Sequence, residues 1–309
     1  MMKSTRTGPV RNAFGVGLLA CSSACLVACA LTSPAAPPTL SPQRIAQIIA
    51  SPDRSAADRT NDLRRKPEAM LAFIGIRPGM TVLDVSAGGG YTSELLARAI
   101  GPAGTVYGQS QPRDPNRAPP APAAPEGASH PTPADAAAPA PAPVPPPPPP
   151  PPTSPARTSA VALAERDAKL RSANVAAAPI VPVAQRFDDP VPPALAAERL
   201  DLVTLMFNYH DLGFMGVNRA QMNQAIFRAL KPGGAYVIAD HAGRPGTGIS
   251  ESGSLHRIEP AFLRKEVEAA GFRFAAEADF LRNPADPRDR NTPEPPQPKD
   301  EFVLKFVKP

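Results

Sequence analysis

A chain of 309 residues with 42% apolar and 20% charged residues has room for one or two globular domains, yet its 44 prolines exceed what a packed core of that length carries. A net charge of +5, without a basic stripe interleaved with aromatics, argues against nucleic acid as a partner. All three cysteines (Cys21, Cys25, Cys29) fall near the N-terminus, which excludes a disulfide framework further along, so the folded part must be held by its own core.

Residues 1–29 read as a secretion signal: Lys3, Arg6 and Arg11 precede an apolar stretch from Phe14 to Leu31. Ser22 and Ser23 interrupt that stretch, against a retained spanning helix, which wants about 20 apolar residues. Leu26-Val27-Ala28-Cys29 resembles the bacterial lipoprotein box. It implies a periplasmic or cell-envelope protein touching the membrane only through a lipid on Cys29; the alternative is an ordinary signal peptide cleaved near Ala35 or Ala36. Residues 30–43 form a linker. The folded domain is expected over 44–111 and 158–309, interrupted by a disordered Pro/Ala-rich insert at 112–157. The run Pro145 to Pro152 has no amide donors, so it adopts an extended polyproline helix rising about 3.1 Å per residue. It is either a ligand for a proline-binding partner or an insertion tolerated because loop-closure entropy grows slowly with length.

Within the domain, strand and helix alternate. Pro67 opens a helix to Ile74, with Met70, Leu71 and Ile74 on one face. Thr81 to Val85 is a buried strand, Thr92 to Ile100 a helix and Thr105 to Gln109 a second strand. Ser159 to Ala173 is helical in composition, and Ile180 to Val183 is a weak third strand containing Pro182. Leu200 to Phe207 is a strong strand and Arg219 to Leu230 an amphipathic helix. Lys231-Pro232-Gly233-Gly234 is a turn before the strand Ala235 to Asp240. A helix from Glu259-Pro260 ends at Gly271, and two strands follow, Phe272 to Ala278 and Glu301 to Val307. This order predicts an α/β fold: a doubly wound, mostly parallel seven-stranded sheet with one antiparallel strand.

The run Val82-Leu83-Asp84-Val85-Ser86-Ala87-Gly88-Gly89-Gly90-Tyr91 puts an acid at a strand end and glycines at the mouth of a helix. Glycines let backbone approach a nucleoside, and a helix start offers unpaired amides. A glycine loop alone also suits a dinucleotide or a tight turn. The wider run from Pro67 to Gln109, with Leu230-Lys231-Pro232-Gly233-Gly234, resembles class I S-adenosylmethionine-dependent methyltransferases with a Rossmann-like fold. Asp58-Arg59, Arg65-Lys66-Pro67, Asn208-Tyr209-His210-Asp211 and Leu255-His256-Arg257-Ile258 look more narrowly like a group of exported bacterial methyltransferases. The resemblance implies S-adenosyl-L-methionine as cofactor, with Asp84 facing its methionine end and Gly88 and Gly90 giving clearance beneath it. Gln109 stands where the family has an acid gripping the ribose diol. Ser86 replaces the family's first glycine, and Asp188 or Asp189 would reach the adenine amino group.

Asn208, Tyr209 and His210 follow the strongest strand, so they sit on the carboxyl edge of the sheet, where ligands of open α/β folds bind. His241 ends the next strand on that edge, and His256 follows a glycine- and serine-rich loop, Gly243 to Ser254, that could close over the site. These five are the candidate catalytic residues. Converging histidines suit a general base, such as His210, acting on a small-molecule or surface nucleophile as methyl acceptor; a metal site is the other reading. The base is the reading taken, with no metal ligands assigned. An inactive binding protein of the same fold is the alternative to an enzyme, because Ser86 and Gln109 depart from the family pattern and S-adenosylmethionine is made in the cytoplasm.

Overall fold

The computed structural model describes residues 38–112, 157–293 and 297–309; the expected signal, the first part of the linker and nearly all of the insert lie outside the described residues. Three helices precede the first strand. α1 (Pro42–Ile49) is capped by the Ser41 hydroxyl, which accepts from the Arg44 amide at 3.2 Å, and it buries Ile45 and Ile48. α2 (Ala56–Arg65) starts at Ser55, whose hydroxyl caps the Asp58 amide, yet Asp58 is its only buried residue. A helix this polar escapes apolar-periodicity reading; ion pairs hold it instead, Asp58 to Arg166 and Asp62 to Arg54. Lys66, left-handed at φ 47°, breaks it from α3 (Pro67–Ile74), which packs Met70, Leu71 and Ile74 inward.

The sheet consists of β1 (Thr81–Val85), β2 (Thr105–Ser110), β3 (Ile180–Ala184), β4 (Leu200–Met206), β5 (Leu230–His241), β6 (Arg273–Ala278) and β7 (Glu301–Val307). Their order is β3-β2-β1-β4-β5-β7-β6. β1 to β5 run parallel, and β7 is antiparallel to both its neighbours. This is the mostly parallel seven-stranded α/β arrangement with one antiparallel strand that the sequence implied, with β1 an interior strand between β2 and β4. Pro182 is accommodated because β3 is an edge strand with β2 as its sole neighbour. The expected turn at Lys231–Gly234 is instead a bulge inside β5. Leu200 pairs with Leu230 but Leu202 with Ala235, and Gly233 takes φ 75° to absorb the extra residues.

Helices cover both faces. α4 (Tyr91–Ile100) and α5 (Ser159–Ser172) join α1 and α3 on the face carrying Val82, Val106 and Leu202; Leu71, Leu96 and Leu163 fill that layer. α7 (Arg219–Ala229) and α9 (Pro260–Ala269) cover the face of Leu83, Val85 and Val203 with Met222, Ile226, Leu263 and Val267. Each such buried side chain contributes about 1.5–3 kcal/mol of hydrophobic stabilisation. Strand alternation then places the functional side chains: Asp84 and Thr204, two residues on from Val82 and Leu202, point to the α4 side and are direct neighbours across the sheet. Two single-turn helices, α6 (Asp211–Phe214) and α8 (Ser252–Leu255), follow β4 and β5 on the carboxyl edge. Among the described residues no helix is long and apolar enough to cross a membrane.

Candidate active site

The glycine turn leaves β1 through Ser86, Gly88 and Gly90, all at positive φ. Gly88 and Gly89 are exposed, and a Cβ built on Gly89 would meet nothing within 4 Å. Gly90 is different. The clearance expected there for a cofactor is filled by α5, since a Cβ would lie 2.8 Å from Arg166 Cδ and 2.9 Å from Leu163 Cδ2. Gly90 is glycine for close helix packing and for its φ of 79°. Arg166 locks this contact by donating to the Gly89 carbonyl at 2.5 Å and pairing with buried Asp58 and Glu94.

Asp84 is buried, and both its oxygens are occupied: Ser93 Oγ donates at 2.6 Å and Thr204 Oγ1 at 2.7 Å. Burial, the dominant influence, raises its pKa to about 6 against these stabilising hydrogen bonds. It pins β1 to β4 and to the start of α4 and does not face open space. Gln109 likewise turns inward. Its Oε1 accepts from the Ser86 amide at 2.9 Å and its Nε2 donates to the Gln185 carbonyl at 2.6 Å, so the side chain expected to grip a ribose is fully buried with both ends bonded. Asp188 accepts from Arg186 and from the Asn218 amide at 2.7 Å, and Arg186 holds its carboxyl below the usual range. The adenine contact expected of it would have to compete with both.

On the histidine rim, Tyr209 is not part of the site. Its ring is fully buried, and its hydroxyl donates to Glu266 while accepting from Asn223 inside the core; burial holds its pKa above the usual value. The residue after a strand alternates sides, and this one faces α7 and α9. Asn208 faces the other way and joins the two halves of the site: Ser86 Oγ donates to its Oδ1 at 2.8 Å, and its Nδ2 donates to Asp211 Oδ2 at 2.8 Å.

His210 sits between two carboxylates, its Nδ1 2.5 Å from Asp240 Oδ1 and its Nε2 3.0 Å from Asp211 Oδ1. Asp240 also takes the His210 backbone amide. Burial disfavours the charged ring, but Asp240 and Asp211 together overcome it and raise the pKa to about 10. Both ring nitrogens are engaged by carboxylates, so His210 presents no open lone pair for the base role expected of it. His241 is the opposite case: burial first, then Lys299, holds it well below its usual value. Its Nδ1 lies 3.0 Å from Glu301 Oε1 without hydrogen-bond alignment. His256 is held through Nδ1, 2.9 Å from Asp211 Oδ1, with its side chain 38% exposed. It adopts φ 51°, unusual for a non-glycine residue, on a backbone anchored by the next residue: Arg257 is completely buried and pairs with Asp286 at 2.8 Å. The Gly243–Ser254 loop already packs on α6, with Ile249 and Ser252 against Gly213 and Gly253 against Phe214.

The three histidine rings therefore do converge, with His210 5.2 Å from His241 and 5.6 Å from His256 between centroids. Asp211 and Asp240, each adjacent in sequence to a candidate histidine, are the residues the sequence reading left unassigned. The His-Asp and Asp-His dipeptides at two strand ends were the available signal.

No protein-family model and no curated protein matches this sequence. Among solved structures, the chain is similar to an S-adenosylmethionine-dependent methyltransferase from Aquifex aeolicus (15% identity, 87% of this chain and 98% of that one, TM-score 0.48). It is also similar to an arsenic(III) S-adenosylmethionine methyltransferase from Chlamydomonas reinhardtii (15% identity, 89% and 75%, TM-score 0.49) and to a geranyl diphosphate C-methyltransferase from Streptomyces coelicolor (12% identity, 89% and 90%, TM-score 0.47). Identities and scores this low transfer neither substrate nor residue roles, which must come from the site itself.

Proposed function

We propose that this chain is an S-adenosylmethionine-dependent methyltransferase of a small-molecule or surface nucleophile, held in the periplasm or cell envelope by a lipid on Cys29. The observation supporting the enzyme is the unbroken hydrogen-bond chain from the glycine turn to the histidine rim, Ser86 to Asn208 to Asp211 to His256. It couples the expected cofactor loop to the expected acceptor side on one sheet edge.

The residues fit the amino-acid end of the cofactor. Gly88 and Gly89 leave backbone accessible, and α4 starts at Gly90 with no side-chain cap, which suits a carboxylate. At the ribose end the fit is looser, because Gln109 is bonded within the protein, so affinity must rest on backbone contacts without charge assistance. When bound, the cofactor supplies an already activated methyl group. What the protein adds is placement. Ser86 and Asn208 hold the turn against Asp211, Asp211 orients the half-exposed His256, and the acceptor's proton is handled on that side, since both His210 nitrogens are held by carboxylates. The buried Gln109 and the filled space over Gly90 favour a second reading, a cell-envelope binding protein that keeps the fold without the chemistry.

Calorimetric titration with S-adenosylmethionine decides between them. Saturable binding that weakens in Asn208→Ala supports the enzyme; no heat and no thermal shift at millimolar ligand leaves the binding protein. Anchoring is checked by labelling expressing cells with a tagged fatty acid. Label should follow the protein and vanish in Cys29→Ser, and an unlabelled wild type refutes the lipoprotein.

A further inference from the structure

We propose that His210 Nε2, Asp211 Oδ1 and His256 Nδ1 form a three-ligand site for a first-row divalent transition-metal ion, whose open positions take an oxygen or nitrogen of the acceptor. What fills the open positions rests on the transferase reading; the metal site itself does not.

Geometry comes first. The donor atoms of these three side chains lie within 4.8 Å of one another. Asp211 Oδ1 is 3.0 Å from the His210 nitrogen and 2.9 Å from the His256 nitrogen. Two donors at right angles around an ion with bonds of about 2.1 Å stand ~3.0 Å apart, so the spacing already matches adjacent coordination positions. Two imidazoles and one carboxylate suit zinc, iron, manganese or cobalt better than the hard cations, which prefer all-oxygen sites.

The surroundings are arranged as metal-binding histidines require. Asp240, fully buried, holds His210 through Nδ1 and through its backbone amide, which directs Nε2 at the cluster. Asn208 occupies the second oxygen of Asp211 and leaves Oδ1 for the ion. With both rings neutral, Asp211 and Asp240 bring two negative charges, which a divalent ion balances. The left-handed backbone of His256, fixed by the buried Arg257–Asp286 pair, holds its ring at this spot against conformational cost. His210 is buried while Asp211 and His256 are partly open, so all protein ligands approach from one side and the remaining positions face outward. The exposed Phe214 ring, 5.7 Å from His256, offers an apolar wall beside them. An acceptor hydroxyl or amine on such an ion loses its proton more readily, so the site needs no side-chain base.

The test is a titration of chelator-stripped full-length protein with Co²⁺, read by its visible absorption, and with Zn²⁺ in competition. One ion per chain is expected, bound at micromolar concentration. His256→Gln and Asp211→Asn should each weaken binding about tenfold or more, and Asp240→Asn, acting through His210, by about tenfold to a hundredfold. Melting curves confirm folding, and His256→Gln, at a half-exposed position, keeps the test open if the aspartate variants misfold. A form with His130, the chain's fourth histidine and part of the Pro/Ala-rich insert, changed to alanine, and a form with Cys21, Cys25 and Cys29 changed to serine, should bind as wild type. Absence of saturable one-to-one binding, binding unchanged in His256→Gln, or binding lost with the cysteines overturns the site. Calorimetry with S-adenosylmethionine on the same samples separates the two readings: metal without cofactor binding overturns only the transferase, and cofactor without metal binding only this site.

Discussion

At the scale of single residues, the structure redistributes roles according to what each polar group already holds. Asp84 and Gln109 resemble cofactor contacts in sequence, but each has both ends bonded inside the protein. Gln109→Ala should therefore cost roughly 1–3 kcal/mol of stability, because it strands the Ser86 amide and the Gln185 carbonyl. If Gln109 gripped ribose instead, affinity for S-adenosylmethionine would fall and the denaturation midpoint would not. Asp84 makes a pH prediction. Its folded pKa of about 6 lies above the ordinary carboxylate value of 3.8, so the stability it contributes is fully present below about 3.8 and is lost as the pH rises through 6. Asp84→Asn removes that dependence. Urea unfolding at pH 4.5 and 7.5 should show the variant gaining on wild type at the higher pH by roughly 2 kcal/mol; parallel pH profiles would refute it. The converse role belongs to His210, whose charge is decided by two aspartates and not by its own type.

At the scale of elements, α5 departs most from what its sequence promised. Its composition reads simply as a helix covering the sheet, but Arg166 makes it a clasp over the glycine turn, joining α2 through Asp58 and α4 through Glu94. Replacing Arg166 with Met leaves buried Asp58 without its main partner and Glu94 with Arg98 alone, and should cost about 3 kcal/mol. Arg171→Met on the same helix, where the i,i+4 pair with Asp167 is solvent-facing on the arginine side, should change stability by less than about 0.5 kcal/mol. Equal effects in chemical denaturation would show that α5 is held by its apolar face alone. α2 is one of the helices the sequence did not disclose, for the same reason: a helix stabilised by ion pairs has no local apolar pattern to read.

At the scale of the whole molecule, the insert at 112–157 separates β2 from α5, yet these elements pack as though the connection were short, with Gly108 against Leu163. Replacing the insert with about ten Gly-Ser residues should shift the melting temperature by only a few degrees, since closure entropy changes slowly with loop length. A collapse of the fold would show the insert to be structural. The strands and their mostly parallel sheet with one antiparallel strand were legible in the sequence because apolar periodicity and glycine turns are local signals, and parallel connections leave few topologies open. The approach of His210 and His241 followed from their places after adjacent strands, and His256 was expected beside them from the loop that precedes it. Tertiary structure alone decided which polar groups are free and which are charged. A buried hydrogen bond or ion pair depends on partners brought from elsewhere in the chain: Thr204 for Asp84, Gln185 for Gln109, Asp240 for His210. Nothing in the residues flanking a side chain reports whether such a partner arrives.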